Sequence, residues 1–137
     1  MIKQLSVFVE NRTGSLMDVT SALTKAHVNI RAVASFDTPE FAIMRLVVDK
    51  PEVAKDYLTS QGFVVRVSEV LGVELEDREG HLNQMLSILA KGGIDVHYIY
   101  SFVIRVGQAP VMVFNTDDYE KAAKILKDAG IRVVNEV

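Results

Sequence analysis

Glu10-Asn11-Arg12-Thr13-Gly14-Ser15-Leu16 and Glu76-Asp77-Arg78-Glu79-Gly80-His81-Leu82 are two writings of one segment. Glutamate, arginine, glycine and leucine coincide at a spacing of 66 residues, and Asn11 faces the similar Asp77. The same offset carries on without a gap. Residues 21–25 (SALTK) lie over 87–91 (SILAK), Val28-Asn29-Ile30 over Ile94-Asp95-Val96, and Ser35-Phe36 over Ser101-Phe102. After small changes of loop length, Val67-Ser68-Glu69-Val70 matches Val134-Asn135-Glu136-Val137. A colinear series of this length means that the chain holds one unit twice, over 1–70 and 71–137.

Each copy reads as strand, helix, strand, strand, helix, strand. Leu5, Val7 and Val9 alternate with Gln4, Ser6 and Phe8, the period of a strand. Leu16, Val19, Leu23 and Ala26 recur at three- and four-residue steps, as on one helix face. Residues 28–36 and 41–48 are strands joined by the turn-rich Asp37-Thr38-Pro39-Glu40. Pro51 opens a second helix carrying Ala54, Tyr57 and Leu58. Gly62 closes it before a strand over 63–67. In the second copy, Leu82, Met85, Leu86 and Leu89 give the first helix face, with strands over 94–103 and 111–114. Ala122, Ile125 and Leu126 mark the next helix, Gly130 its end, and 131–134 the last strand. This order predicts an α+β fold of two tandem ferredoxin-like βαββαβ repeats, each an antiparallel sheet with both helices on one face. The strand over 41–48 is apolar on both sides, so its second face needs a cover, from the other repeat or a second chain. A homodimer is expected.

Composition narrows the function. The chain has 137 residues, 49% hydrophobic and 24% charged, enough for an ordinary globular core. A net charge of −3 argues against a nucleic-acid surface, and the absence of cysteine removes disulfides and thiolate chemistry. No apolar run has the length of a membrane span or the form of a signal peptide, so a cytoplasmic protein is expected.

The strand-to-helix turns carry the most polar specificity. Gly14 permits close backbone approach, and the N–H groups of Gly14, Ser15 and Leu16 are expected to be free at the positive end of a helix. Such an end receives a carboxylate, with Asn11 offering an amide and Arg12 a guanidinium. For one loop alone, capping by Thr13 or Ser15 is the simpler account. A plain cap, however, does not require Glu-x-Arg-x-Gly-x-Leu to recur.

With Asn11-Arg12-Thr13-Gly14-Ser15-Leu16 on its first turn, the repeated unit resembles the ACT domain family, whose members show an Asn-Arg-Pro-Gly-x-Leu type of sequence there. The pairing of copies, and Tyr98-Ile99-Tyr100-Ser101-Phe102, look like the short stand-alone tandem ACT proteins of bacteria. The resemblance implies regulatory binding of an amino acid at an interface between ACT units. It implies sites lined by Asn11, Arg12, Thr13, Gly14, Ser15 and Leu16, and by Asp77, Arg78, Glu79, Gly80, His81 and Leu82. The facing wall would come from the second strand of a neighbouring unit, Ala34 with Ser35, Phe36 and Asp37, or Tyr100, Ser101 and Phe102. The family proline is Thr13 in one copy and Glu79 in the other. Asp77 and Glu79 put two carboxylates beside the second helix start, where like charges repel an anion. The ligand carboxylate is therefore expected at the first loop, with two inequivalent sites.

Other classes fare worse. His27, His81 and His97 match no metal spacing, no Gly-x-Ser-x-Gly elbow is present, and no cofactor motif occurs. The chain is not expected to be an enzyme. A regulatory subunit of an amino-acid biosynthetic enzyme, of the acetolactate synthase small-subunit type, is the alternative. RNA binding is a distant third: Tyr98, Tyr100 and Phe102 share a strand face, but the basic surround is missing.

Overall fold

The computed structural model describes residues 1–102 and 109–135. The expected strand end at Val103, and Glu136 and Val137 of the matched termini, lie outside the described residues. The elements are β1 (Ile2–Glu10), α1 (Ser15–Lys25), β2 (Ile30–Asp37), β3 (Phe41–Val48), α2 (Pro51–Ser60), β4 (Val64–Glu74), α3 (His81–Lys91), β5 (Val96–Ser101), β6 (Val111–Thr116), α4 (Tyr119–Asp128) and β7 (Arg132–Val134). Over the described residues the two compact units are Lys3–Ser68, and Met1–Ile2 with 69–135. The last strand of the first copy and the first strand of the second are one continuous strand, β4, which crosses this division.

In the first unit the strands run β2-β3-β1-β4. β1 and β3 are antiparallel, with Leu5 opposite Leu46 and Val7 opposite Met44. Those four side chains face α1 and α2, where Val19, Leu23, Ala54 and Leu58 complete the core. In the second unit β4 lies between β6 and β7, with Leu71 opposite Phe114 and Val73 opposite Val133. β5 adds outside β6, with Ile99 opposite Phe114. Met85, Leu89, Ala122 and Leu126 of α3 and α4 cover that sheet. Each unit is thus the helix-on-sheet layer that the repeat predicts. On the sheet face away from the helices, Gln4, Ala32 and Val47 are fully buried, while Phe36 and Phe41 are 43% and 41% exposed.

All four helices end alike. The residue two beyond each C-cap donates its N–H to the carbonyl five positions back: Val28 to Leu23, Phe63 to Leu58, Ile94 to Leu89 and Ile131 to Leu126. The residue between holds positive φ, which glycine takes at 62, 93 and 130 but His27 takes at 57°. One detail departs from the sequence reading. Leu16 and Leu82, expected on the buried helix faces, are each 40% exposed, and Ser15 and His81 are buried instead. Ser15 precedes Val19 and Leu23 by four and eight residues and lies on the line of the buried stripe, which leaves Leu16 on its flank.

Candidate ligand-binding site

Both strand-to-helix connections are the same turn. The Ser15 N–H donates to the Arg12 carbonyl at 3.2 Å, and Gly14 between them has φ 86° and ψ −4°. In the second copy His81 N–H donates to the Arg78 carbonyl at 3.3 Å, with Gly80 at φ 80° and ψ −2°. Positive φ at the third position with negative φ at the second, as at Thr13 and Glu79, marks a type II turn, which accepts glycine third and proline second. Thr13 and Glu79 occupy that second position. Gly14 and Gly80 are the N-caps, and neither helix has a side-chain cap. Capping by Thr13 or Ser15 is therefore not the role of these residues.

The expected set of free amides needs one correction: the Ser15 N–H is spent on the turn. The first bond that closes the helix runs from Asp18 N–H to the Gly14 carbonyl at 2.9 Å. The N–H groups of Leu16 and Met17 lie ahead of it and have no backbone acceptor among the described residues. These two donors carry the positive end of the helix dipole.

The polar side chains of the turn mostly hold the turn itself. The Asn11 amide donates to the Thr38 carbonyl at 2.9 Å and its N–H to the Glu40 carbonyl at 3.3 Å, tying the loop to the β2–β3 turn. Arg12 donates to Asp18 at 3.1 Å and lies 3.4 Å from Glu10. Arg78 repeats the gesture, donating to Glu76 at 2.9 Å and to the Gln84 amide oxygen at 3.1 Å. All of these pairs are at least two-fifths exposed where they carry charge, so each stabilises by about 1 kcal/mol or less. Asp77 and Glu79 are exposed at the second turn.

Ser15 and His81 differ more. Ser15 is 5% exposed and its hydroxyl has no hydrogen-bond partner among the described residues. An unsatisfied buried hydroxyl costs about 1–3 kcal/mol. His81, 8% exposed, instead accepts the Glu76 N–H at Nδ1 over 2.7 Å. Its side chain is already employed.

Each turn borders a cleft within its own unit. The first, of about 270 Å³, runs between Arg12, Ser15 and Asp18 on one side and Gly62, Phe63 and Val64 after α2 on the other, with Phe8, Val9 and Glu10 as its floor. The second, of about 410 Å³, joins Arg78, His81 and Gln84 to Gly130, Ile131 and Arg132, with Glu74 and Glu76. The clefts sit at matching places in the two repeats. Asn11, Thr13 and Gly14 lie at the turn but not in the first cleft's lining, and Leu16 stands exposed beside it. Ser35, Phe36 and Asp37 are exposed at the end of β2, and neither cleft includes them. Tyr100 is buried, Ser101 exposed and Phe102 half-buried around the end of β5. Sequence reading passed over Asp18, Gln84 and the segments after α2 and α4. Their only signal was positional, since Asp18 and Gln84 share the offset of the repeat and Gly62 and Gly130 each close a helix.

The remaining candidates resolve into structure. His97 Nε2 lies 2.9 Å from the Asp117 carboxylate, and the His27 carbonyl accepts from Lys50 at 2.9 Å. Among the described residues no three of His, Asp and Glu gather as a metal site requires, and no helix is long and apolar enough to cross a membrane. Tyr98 and Tyr100 stack with centroids 6.4 Å apart, but Tyr100 is buried and offers no open platform for a base.

Comparison with known proteins gives a consistent result. A protein from Bacteroides thetaiotaomicron has the same fold with a TM-score of 0.89 at 29% identity, over 97% of this chain and 91% of that one. The regulatory subunit of aspartate kinase from Thermus thermophilus, in its ligand-free form, aligns with a TM-score of 0.67 at 15% identity, over 93% and 92%. Within the aspartate kinase of Clostridium acetobutylicum the likeness covers 93% of this chain and 32% of that one, with a TM-score of 0.56 at 15% identity. No curated protein sequence matches the chain. The family model described as an ACT domain pair matches residues 1–137, and the chain belongs to the ACT domain family.

Proposed function

We propose that this chain is a regulatory protein that binds a free amino acid at its first strand-to-helix turn. The observation that carries the reading is the helix start at Gly14. Two donor N–H groups, of Leu16 and Met17, lie there without backbone acceptors, beside a cleft whose wall holds the unpartnered Ser15 hydroxyl. A carboxylate suits such a place because it meets two donors and a favourable dipole together. The second turn carries the same geometry with Asp77, Glu79 and Glu76 around it, which weighs against an anion there. Calorimetric titration with each standard amino acid tests this. Saturable, stereospecific binding supports it, and no binding across the set refutes it.

The chain carries no reaction chemistry in this reading, so its output passes through a partner or its own assembly. The likeness of fold to a regulatory subunit of aspartate kinase supports the first route, a small subunit acting on a separate enzyme of amino-acid metabolism. For the second route we propose a homodimer through β2, which ends the sheet order of its unit. Arg31 and Asp37 stand three residues to either side of Ala34 in this strand. Two antiparallel copies of β2 related by a two-fold axis at Ala34 set each Arg31 against the Asp37 of the other copy. Val33 and Phe36, both more than two-fifths exposed, come under cover at the same time. A ligand that binds the two assembly states unequally favours one arrangement of copies over another.

A further inference from the structure

The two clefts occupy matching places but are built for different contents. Phe8, Phe63 and Val64 in the first stand where Glu74, Ile131 and Arg132 stand in the second. Glu74 and Arg132 form an ion pair there at 3.1 Å, so the end that is apolar in the first cleft is closed by charge in the second. The other end of the first cleft is polar. Glu10 and Asp18 bring two carboxylates against the single guanidinium of Arg12, which leaves one negative charge unmatched. Ser15 lines the same cleft, and its buried hydroxyl has no hydrogen-bond partner among the described residues.

We infer that the first cleft selects a zwitterionic amino acid with an apolar side chain, and that the chain holds one such ligand. The inference rests on the amino-acid-binding reading above and deepens it to a ligand class and a stoichiometry. The α-ammonium group meets the surplus carboxylate of Glu10 and Asp18. The α-carboxylate takes the Leu16 and Met17 N–H groups and, after a rotation about χ1, the Ser15 hydroxyl. The side chain then lies along Phe8, Phe63 and Val64, where burial rewards each added methylene by about fourfold in affinity until the cleft is full. A charged side chain in this place gives up part of its hydration and gains no charged partner among Phe8, Phe63 and Val64. His81 takes the place of Ser15 in the second cleft with its Nδ1 already bonded, and the ion pair of Glu74 with Arg132 fills the side-chain end. That cleft therefore takes no second copy of the ligand.

The test is calorimetric titration of the full chain with valine, leucine, methionine and phenylalanine, against glycine, aspartate and lysine. The expected result is one apolar ligand per chain, with glycine, aspartate and lysine at least tenfold weaker. Ser15→Ala should weaken binding about tenfold. Val64→Arg, which copies Arg132 into the first cleft at a position 66% exposed, should weaken it more than tenfold with the circular dichroism unchanged. Arg132→Val, in the second cleft, should leave the affinity as it was. Preference for a charged or small amino acid, two ligands per chain, or indifference to Val64→Arg overturns the inference while amino-acid binding itself stands. Absence of binding by every amino acid removes both.

Discussion

Arg12 reaches forward six residues to the Asp18 carboxylate at 3.1 Å, and in the second repeat Arg78 reaches forward six residues to Gln84 at the same distance. The paired contacts show what the recurring arginine does. It folds back over its own turn and holds the helix start in place. The guanidinium that sequence reading offered to a ligand is largely spent, and the donors left over are backbone N–H groups. A site of this kind depends on turn geometry more than on any one side chain, and that dependence can be measured.

Gly14 and Gly80 should respond alike in stability and differently in binding. A Cβ at either position meets open space, so the only penalty of Gly14→Val or Gly80→Val is the positive φ. That penalty is about 1–2 kcal/mol or more, because valine is β-branched. Urea unfolding should show a similar loss for both variants. Calorimetry should show amino-acid binding abolished in Gly14→Val and retained in Gly80→Val.

Thr13→Pro should stabilise the chain. Thr13 holds the second position of a type II turn, its N–H makes no hydrogen bond in the described structure, and proline has the required φ there. The gain comes from the unfolded chain, which loses freedom, and should be about 0.4–1 kcal/mol in urea unfolding. An unchanged or lowered midpoint would contradict the turn assignment.

The dimer register makes a reciprocal prediction. Arg31→Glu or Asp37→Arg alone places like charges opposite each other across the two-fold axis and should shift the chain toward monomer in sedimentation equilibrium. The double exchange should restore the dimer. A dimer that ignores all three variants is formed through another surface.

Tyr119 should set part of the alkaline limit of stability. Its hydroxyl accepts from the Asn115 amide at 2.8 Å and donates to the Glu69 carbonyl, fastening the start of α4 to β4. Partial burial is the main cause that raises its pKa above the ordinary value near 10, with the charges around it adding to the effect. With the folded-state value above the unfolded one, the neutral hydroxyl contributes its full stability below pH 10, and this is lost as pH rises through the raised value. Tyr119→Phe should lower stability by about 1 kcal/mol at neutral pH and flatten the decline above pH 10.

Much of this molecule is legible in one dimension. The repeat at 66 residues, the alternation of Leu5, Val7 and Val9, and the glycines after three of the four helices are statements about neighbours in sequence. Local geometry obeys them. The type II turn needs glycine at 14 and 80 whatever lies around it, and the helices close where a residue can take positive φ. Family membership followed from the same local signals.

Packing decided the rest. Whether Ser15 or Leu16 turns inward depends on how α1 lies across the sheet, and both fit a helical period. The fusion of two expected strands into β4 depends on partners far away in sequence on each side. The cleft joins Phe8, Ser15 and Phe63, which no spacing relates, and its apolar or charged lining is set by side chains that meet only after the chain has closed on itself. The sequence by itself determined the doubled unit and its two turns, because these rest on local conformation. Only the tertiary structure decided which polar group was left without a partner and what stands around it, because burial belongs to the whole fold.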